Sequence, residues 1–219
     1  MIRLDKEKMI KLTKEYVYNE LHNDNSGHDW YHIARVTAMA RTIAIEEQAD
    51  SFICEMAALL HDIADEKLNL TEEVGLQKVI TWLNSIRMDD STIQEIITII
   101  STMSFKGGGQ PEMASLEGKV VQDADRLDAI GALGIARTFA YAGSKGELIY
   151  DPALKPRENM TKEEYRNGQS TAINHFYEKL LKLKEKMNTN YAKQLAEDRH
   201  RIMEQYLDDF FNEWKNGTE

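Results

Sequence analysis

One cysteine in 219 residues leaves no partner for an intramolecular disulfide, so Cys54 points to a reducing compartment. It lies in an apolar stretch, where a packed thiol is the ordinary outcome. Proline occurs at Pro111, Pro152 and Pro156 only, which leaves 1–110 and 157–219 free of the strongest helix breaker. No apolar run approaches the ~20 residues of a membrane span. The opening, Met-Ile-Arg-Leu-Asp-Lys-Glu-Lys, is too charged for a signal peptide, so the expected location is cytoplasmic. Lys and Arg number 27 against 37 Asp and Glu, a net charge of -10. That balance disfavours a surface that tracks a nucleic-acid polymer, whereas a small anion responds to local charge and stays admissible. The length suits one domain with a substantial core.

What is present is helix after helix. Residues 5–22 form an amphipathic stretch with Met9, Leu12, Tyr16 and Val17 on one face. A turn by composition, Asn23-Asp24-Asn25-Ser26-Gly27, precedes a helix to about 48 whose inner face is Ile33, Val36, Ala40, Ile43 and Ala44. Asp50-Ser51 caps a helix over 52–61. Thr71 and Asp90-Ser91 open two more, lined by Leu76, Val79, Ile80, Leu83 and Ile86, then by Ile93, Ile96, Ile97 and Ile100. Residues 104–111 make a glycine-rich loop, and 114–142 one or two helices. In these, Asp123 is expected on the surface, together with one of Asp125 and Asp128. Periodicity fails over 143–169, a length that suits a lid, with Lys145, Lys155 and Arg157 as its charges. Two helices close the chain. The first turns Ile173, Phe176, Tyr177, Leu180 and Leu181 inward; the second does so with Leu195, Ala196, Ile202, Met203, Tyr206 and Leu207. Arg199 stands within that second stripe. No strand pattern and no repeat survives, so the fold class is all-α.

The stretch Ala57-Ala58-Leu59-Leu60-His61-Asp62-Ile63-Ala64-Asp65 stands out within this order. His61 follows Ala57 by four and shares its buried face. An imidazole followed by a carboxylate at a buried position is costly unless paired, and a divalent metal pairs both. Neighbours on a helix point about 100° apart, so one ion reaches both only at the helix end. The plainer reading is a helix C-terminus, where His favours the dipole and Asp caps the next turn.

Three separated stretches together carry a resemblance. Gly27-His28-Asp29-Trp30-Tyr31-His32-Ile33, Leu59-Leu60-His61-Asp62-Ile63 and Gln122-Asp123-Ala124-Asp125-Arg126-Leu127-Asp128-Ala129-Ile130 resemble the HD-domain metal-dependent phosphohydrolases, in a small bacterial nucleotide (pyro)phosphohydrolase-like branch. His175-Phe176-Tyr177-Glu178 is similar to it too. The resemblance implies a single-domain helical bundle over 1–219, with a motif core at about 20–140 and C-terminal helices at 170–215; the 143–169 loop between them is a lid or a plain disordered excursion by its own length, glycines and charges. It also implies one metal held by His32, His61, Asp62 and Asp125. Asp125 is preferred to Asp128 because it opens an Asp-x-Leu pattern. Two nitrogens and two oxygens suit manganese, nickel, cobalt or iron better than zinc or magnesium. Two-metal members of the superfamily use additional histidines between the last two motifs. None of the six here lies between Asp62 and Asp125, which favours a single ion.

The implied activity is hydrolysis of a nucleotide, from triphosphate to monophosphate and pyrophosphate. A nucleoside 5'-monophosphate phosphatase and a non-catalytic nucleotide sensor are the alternatives. By the same resemblance Asp65 would orient or deprotonate the water, and His28 and Asp29 would support the metal ligands from behind or form a proton relay, with helix capping the plainer role of Asp29. Arg35, Lys67 and Arg126 would neutralise phosphates. The expected partner is a small nucleotide, with no nucleic-acid polymer and no membrane; a homodimer stays open.

Overall fold

The computed structural model describes residues 5–23, 29–65, 68–103, 113–158 and 168–218. Among them are nine α-helices and no β-strand. The chain gathers into two compact units, Met1–Asp125 and Arg126–Glu219.

The first unit is built around α3 (Ser51–Leu60), seven of whose ten residues are buried. Asp50 caps it by accepting from the backbone N–H of Phe52 and Ile53, as the sequence requires. Around it pack α1 (Lys6–Leu21), α2 (Trp30–Glu46) and α5 (Asp90–Met103). Ile33, Ile43, Met56, Leu59, Leu60 and Ile96 are fully buried. Each such side chain contributes about 1.5–3 kcal/mol of transfer free energy. Helix α5 opens at Asp90 as expected, and Asp89 just before it accepts at its carboxylate from the Thr92 N–H and from two hydroxyls. Helix α4 (Glu72–Ser85) is capped by Thr71 and lies against a four-residue 3-10 turn, His61–Ala64.

Cys54 is buried in this core, and burial first, then Glu117, Asp50 and Glu95, pushes its thiol up to about 12. We expect no reaction with a thiol reagent at pH 8 in the folded protein and full reaction in denaturant, because only the thiolate attacks. A reagent titration measures both, and rapid labelling of native protein would contradict the burial.

Helix α6 (Leu116–Asp128) contributes Val120, Val121 and Ala124 to the first core; from Arg126 on it belongs to the second unit. Asp123 is a correction. It is fully buried, not on the surface. The apolar stripe of α6 is wider than its hydrophobic letters alone indicate.

In the second unit α7 (Gly131–Lys145) ends at Gly146, whose φ of 69° is the left-handed cap conformation. The segment that follows is irregular yet tied to α8 (Ala172–Glu178). The carbonyls of Leu148 and Ile149 accept from Ala172 and Ile173, and Asn174 Nδ2 donates to the Leu154 carbonyl. Arg157, read as a lid charge, instead meets the buried Glu178 through its backbone N–H, Nε and Nη2 at 2.7 to 3.0 Å. Residues 159–167 of the expected lid lie outside the described residues.

The expected long helix after residue 170 also breaks. Past α8 the chain makes two 3-10 turns, Leu180–Lys182 and Lys184–Lys186, before α9 (Asn190–Thr218). Tyr177 and Ile202 were both expected inward and are 38% and 46% exposed. Phe139 and Tyr206 meet edge-on, with Phe176 stacked on Tyr206 at 5.8 Å. Arg199 donates to the Leu127 carbonyl, so it satisfies the end of a helix, and the Asp128 carboxylate acts on it electrostatically.

Candidate metal centre

Two helix ends and one helix face in the first unit bring the chemistry together. Asp29 caps α2 by accepting from the His32 N–H at 2.9 Å, which sets the first turn and with it the direction of His32. Helix α3 stops at Leu60, and the tighter 3-10 turn carries His61 and Asp62 side by side. The pair sits at the end of a helix, where one ion can reach both. From α6, Asp125 approaches the same point.

The distances are short. His32 Nε2 lies 3.4 Å from Asp62 Oδ2 and 3.5 Å from Asp125 Oδ1. His61 Nε2 lies 3.3 Å from Asp62 Oδ1 and 4.0 Å from Asp125 Oδ1. Two atoms bonded to one ion at about 2.1 Å each are at most about 4.2 Å apart, so each of these pairs is compatible with one ion. His32, His61 and Asp62 each offer an atom within 4.8 Å of the others. These three are buried, whereas the Asp125 side chain is 40% exposed.

Tautomer and charge agree with that geometry. His61 Nδ1 is 2.8 Å from the Ala58 carbonyl, which only accepts, so Nδ1 carries the proton and Nε2 offers its lone pair. That Nε2 is buried and has no hydrogen-bond partner among the described residues. Burial alone would lower the pKa of His61. Asp62 and Asp125, then the Ala58 carbonyl and Asp65, outweigh burial and raise it. The pocket is thus arranged to stabilise positive charge at that nitrogen, and the donor set fits a divalent cation.

A family profile described as HD domain matches residues 29–130, a span that contains all four candidate donors. An HD-superfamily hydrolase from Bacillus thuringiensis is 49% identical over 96% of this chain and 99% of its own, with a TM-score of 0.77. The chain belongs to the HD-domain hydrolase superfamily. A Lactobacillus plantarum protein of this fold is 45% identical, with 96% and 98% of the two chains covered and a TM-score of 0.87. Bacillus subtilis YpgQ in complex with ADP is 39% identical, with 95% and 96% covered and a TM-score of 0.77. The family expected from the motifs is therefore shown, and with it a metal-dependent hydrolase.

The other expected residues of this HD domain fall into three groups. Asp65 closes the 3-10 turn, half-buried, and acts electrostatically on His61; Arg35 is half-buried on α2. Asp29 has structural employment as a helix cap, and Arg126 donates to the Lys186 carbonyl. His28 and Lys67 lie outside the described residues. Asp128, the rival to Asp125, is buried and ion-pairs with Arg137.

Proposed function

We propose that this hydrolase cleaves nucleoside triphosphates to monophosphate and pyrophosphate at one divalent ion held by His32, His61, Asp62 and Asp125. The observation that carries the nucleotide is the ADP complex of YpgQ, a relative along nearly the whole chain. The triphosphate reading rests on the motif neighbourhood of the pyrophosphohydrolase-like branch.

When bound, the ion supplies a Lewis acid for a phosphoryl oxygen and for the attacking water. Manganese, nickel, cobalt or iron suits the two nitrogen and two oxygen donors. The chain's own groups do the rest. Asp65 takes the water's proton at its carboxylate, three residues beyond Asp62. Arg35 supplies the phosphates with a charge that does not titrate, and Lys67 and Arg126 are the further cations that the sequence offers for that task. Asp29 holds His32 in place through the α2 cap, and His28 serves as its neighbour in a proton relay. Asp125, at the solvent edge, marks the side from which substrate arrives.

Purified protein with manganese and a panel of nucleoside mono-, di- and triphosphates tests the reading, with phosphate and pyrophosphate both quantified. Pyrophosphate in equal amount to monophosphate is expected from triphosphates. Free phosphate from monophosphates alone would replace it with the phosphatase. Tight nucleotide binding without turnover under any divalent ion would make the protein a sensor.

A further inference from the structure

The turn that carries His61 and Asp62 is a poor holder of its own shape. It spans four residues, His61–Ala64, and is of the 3-10 kind, whose hydrogen bonds are less well aligned than those of an α-helix. Beyond it the Asp65 N–H donates back to the Asp62 carbonyl at 3.0 Å. Metal ligands need directions held to a fraction of an ångström, so something outside the turn has to supply the rigidity.

Two residues flank Ala64, the last residue of the turn. Asn69 Nδ2 donates to the Ile63 carbonyl at 2.8 Å and to the Asp65 carbonyl at 2.9 Å, one on each side of Ala64. The other half of that amide, Oδ1, is buried with no hydrogen-bond partner among the described residues. The side chain is thus turned so that its N–H groups meet the turn. Gly75 comes from the first turns of α4 and is buried. A Cβ built there would stand 2.5 Å from the Ala64 carbonyl oxygen, 2.7 Å from its Cα and 2.8 Å from its carbonyl carbon. All three are backbone atoms, so they cannot swing aside as a side chain would. Only a residue without a side chain lets α4 lie flat against the turn.

We infer that Asn69 and Gly75 are positioning residues: they clamp the His61–Ala64 turn from two directions and so set the affinity of the metal centre. The inference rests on the metal reading of His32, His61, Asp62 and Asp125. Asn69 grips the two carbonyls, and Gly75 sets the distance of closest approach of α4. Neither touches the donors; each acts through the turn. The isosteric change Asn69→Asp is the sharpest probe, because it sets a carboxylate against two carbonyl oxygens while keeping the volume.

The experiment is calorimetric titration of the full-length chain with manganese, beside a thermal melt, for wild type, Asn69→Ala, Asn69→Asp and Gly75→Ala. Glu178→Gln is the control. It weakens the hydrogen bonds that Glu178 accepts from Arg157 at the end of α8, an element that holds no metal donor and no part of the clamp. The three clamp variants should bind manganese roughly 10- to 100-fold more weakly, the usual range for groups that orient a ligand. Glu178→Gln should lose stability and keep wild-type affinity. If Gly75→Ala does not fold, the two Asn69 variants carry the test. Wild-type affinity in both Asn69 variants would overturn the clamp and leave the metal centre standing. An equal loss of affinity in Glu178→Gln would also overturn it, since the effect would then be one of stability alone. Absence of manganese binding by the wild type would overturn the metal reading and the clamp together.

Discussion

His61→Ala and Asp62→Ala should each purify without stoichiometric metal and hydrolyse nucleotide at least ~10³-fold more slowly than wild type. The estimate follows from the several kcal/mol of charge stabilisation an ion supplies, at about 1.4 kcal/mol per tenfold in rate. Both side chains are buried, and among the described residues His61 Nε2 has no hydrogen bond that could keep it in place of a metal. The carboxylates that raise the pKa of His61 are the same ones that would attract the ion. On α6 the comparison is sharper. Asp125→Asn should lose metal and turnover together, because Asp125 Oδ1 lies 3.5 Å from His32 Nε2 and an amide brings no charge. Asp128→Asn should keep the metal while lowering stability by about 2 kcal/mol, because it takes the charged partner from Arg137 in a partly exposed pair. Elemental analysis and turnover on the four variants, with circular dichroism as a folding control, measure this. An unchanged metal load in His61→Ala and Asp62→Ala would remove the centre, and metal loss in Asp128→Asn alone would move the fourth donor there.

Glu178→Gln should destabilise the protein at pH 7 by about 3 kcal/mol, or about 6–12 °C in Tm. Glu178 is 2% exposed and takes three hydrogen bonds from Arg157 and one from the Ser170 hydroxyl. Burial pushes its pKa up, but those hydrogen bonds and the Arg157 charge outweigh burial and hold it below the usual 4.5. A carboxyl with a depressed folded value binds its proton more readily in the unfolded chain. Its stabilisation is therefore complete above the unfolded value near 4.5 and fades as pH falls through the lower folded one. The gap between wild type and Glu178→Gln should be widest near neutrality and shrink as pH falls below about 4.5. Urea denaturation at pH 7, 5, 4 and 3 gives the curve. A gap that stays constant with pH would show that the carboxylate charge contributes nothing.

Periodicity and spacing carried much of this protein. The all-α class follows from apolar residues recurring at helical intervals with almost no proline, because a helix's pattern is local and each turn repeats it. The caps Asp50 and Thr71 were legible for the same reason, since a cap bonds within three residues of itself. His61 and Asp62 were legible as a pair because adjacency at the end of an apolar helix is costly in any fold that lacks a partner for them.

Tertiary structure decided what depends on the neighbour across the gap. Asp123, Asp125 and Asp128 stand within two turns of one helix, and each borders its apolar stripe. One is fully buried, one is 40% exposed beside His32, and one is paired with Arg137. Nothing in their own spacing separates them, because burial is set by the element that covers each direction. Tyr177 and Ile202 fit an inward stripe and still face solvent for that reason. Asn69 gave no signal at all. A glycine inside the helical run Glu72–Ser85 was a visible oddity at Gly75, yet its meaning required the Ala64 carbonyl 2.5 Å from a Cβ that is absent. Local pattern determines which elements form and which residues could bind an ion; only packing over long sequence separation brings the start of α2 to the α3 end and sets Asp125 of α6 beside them.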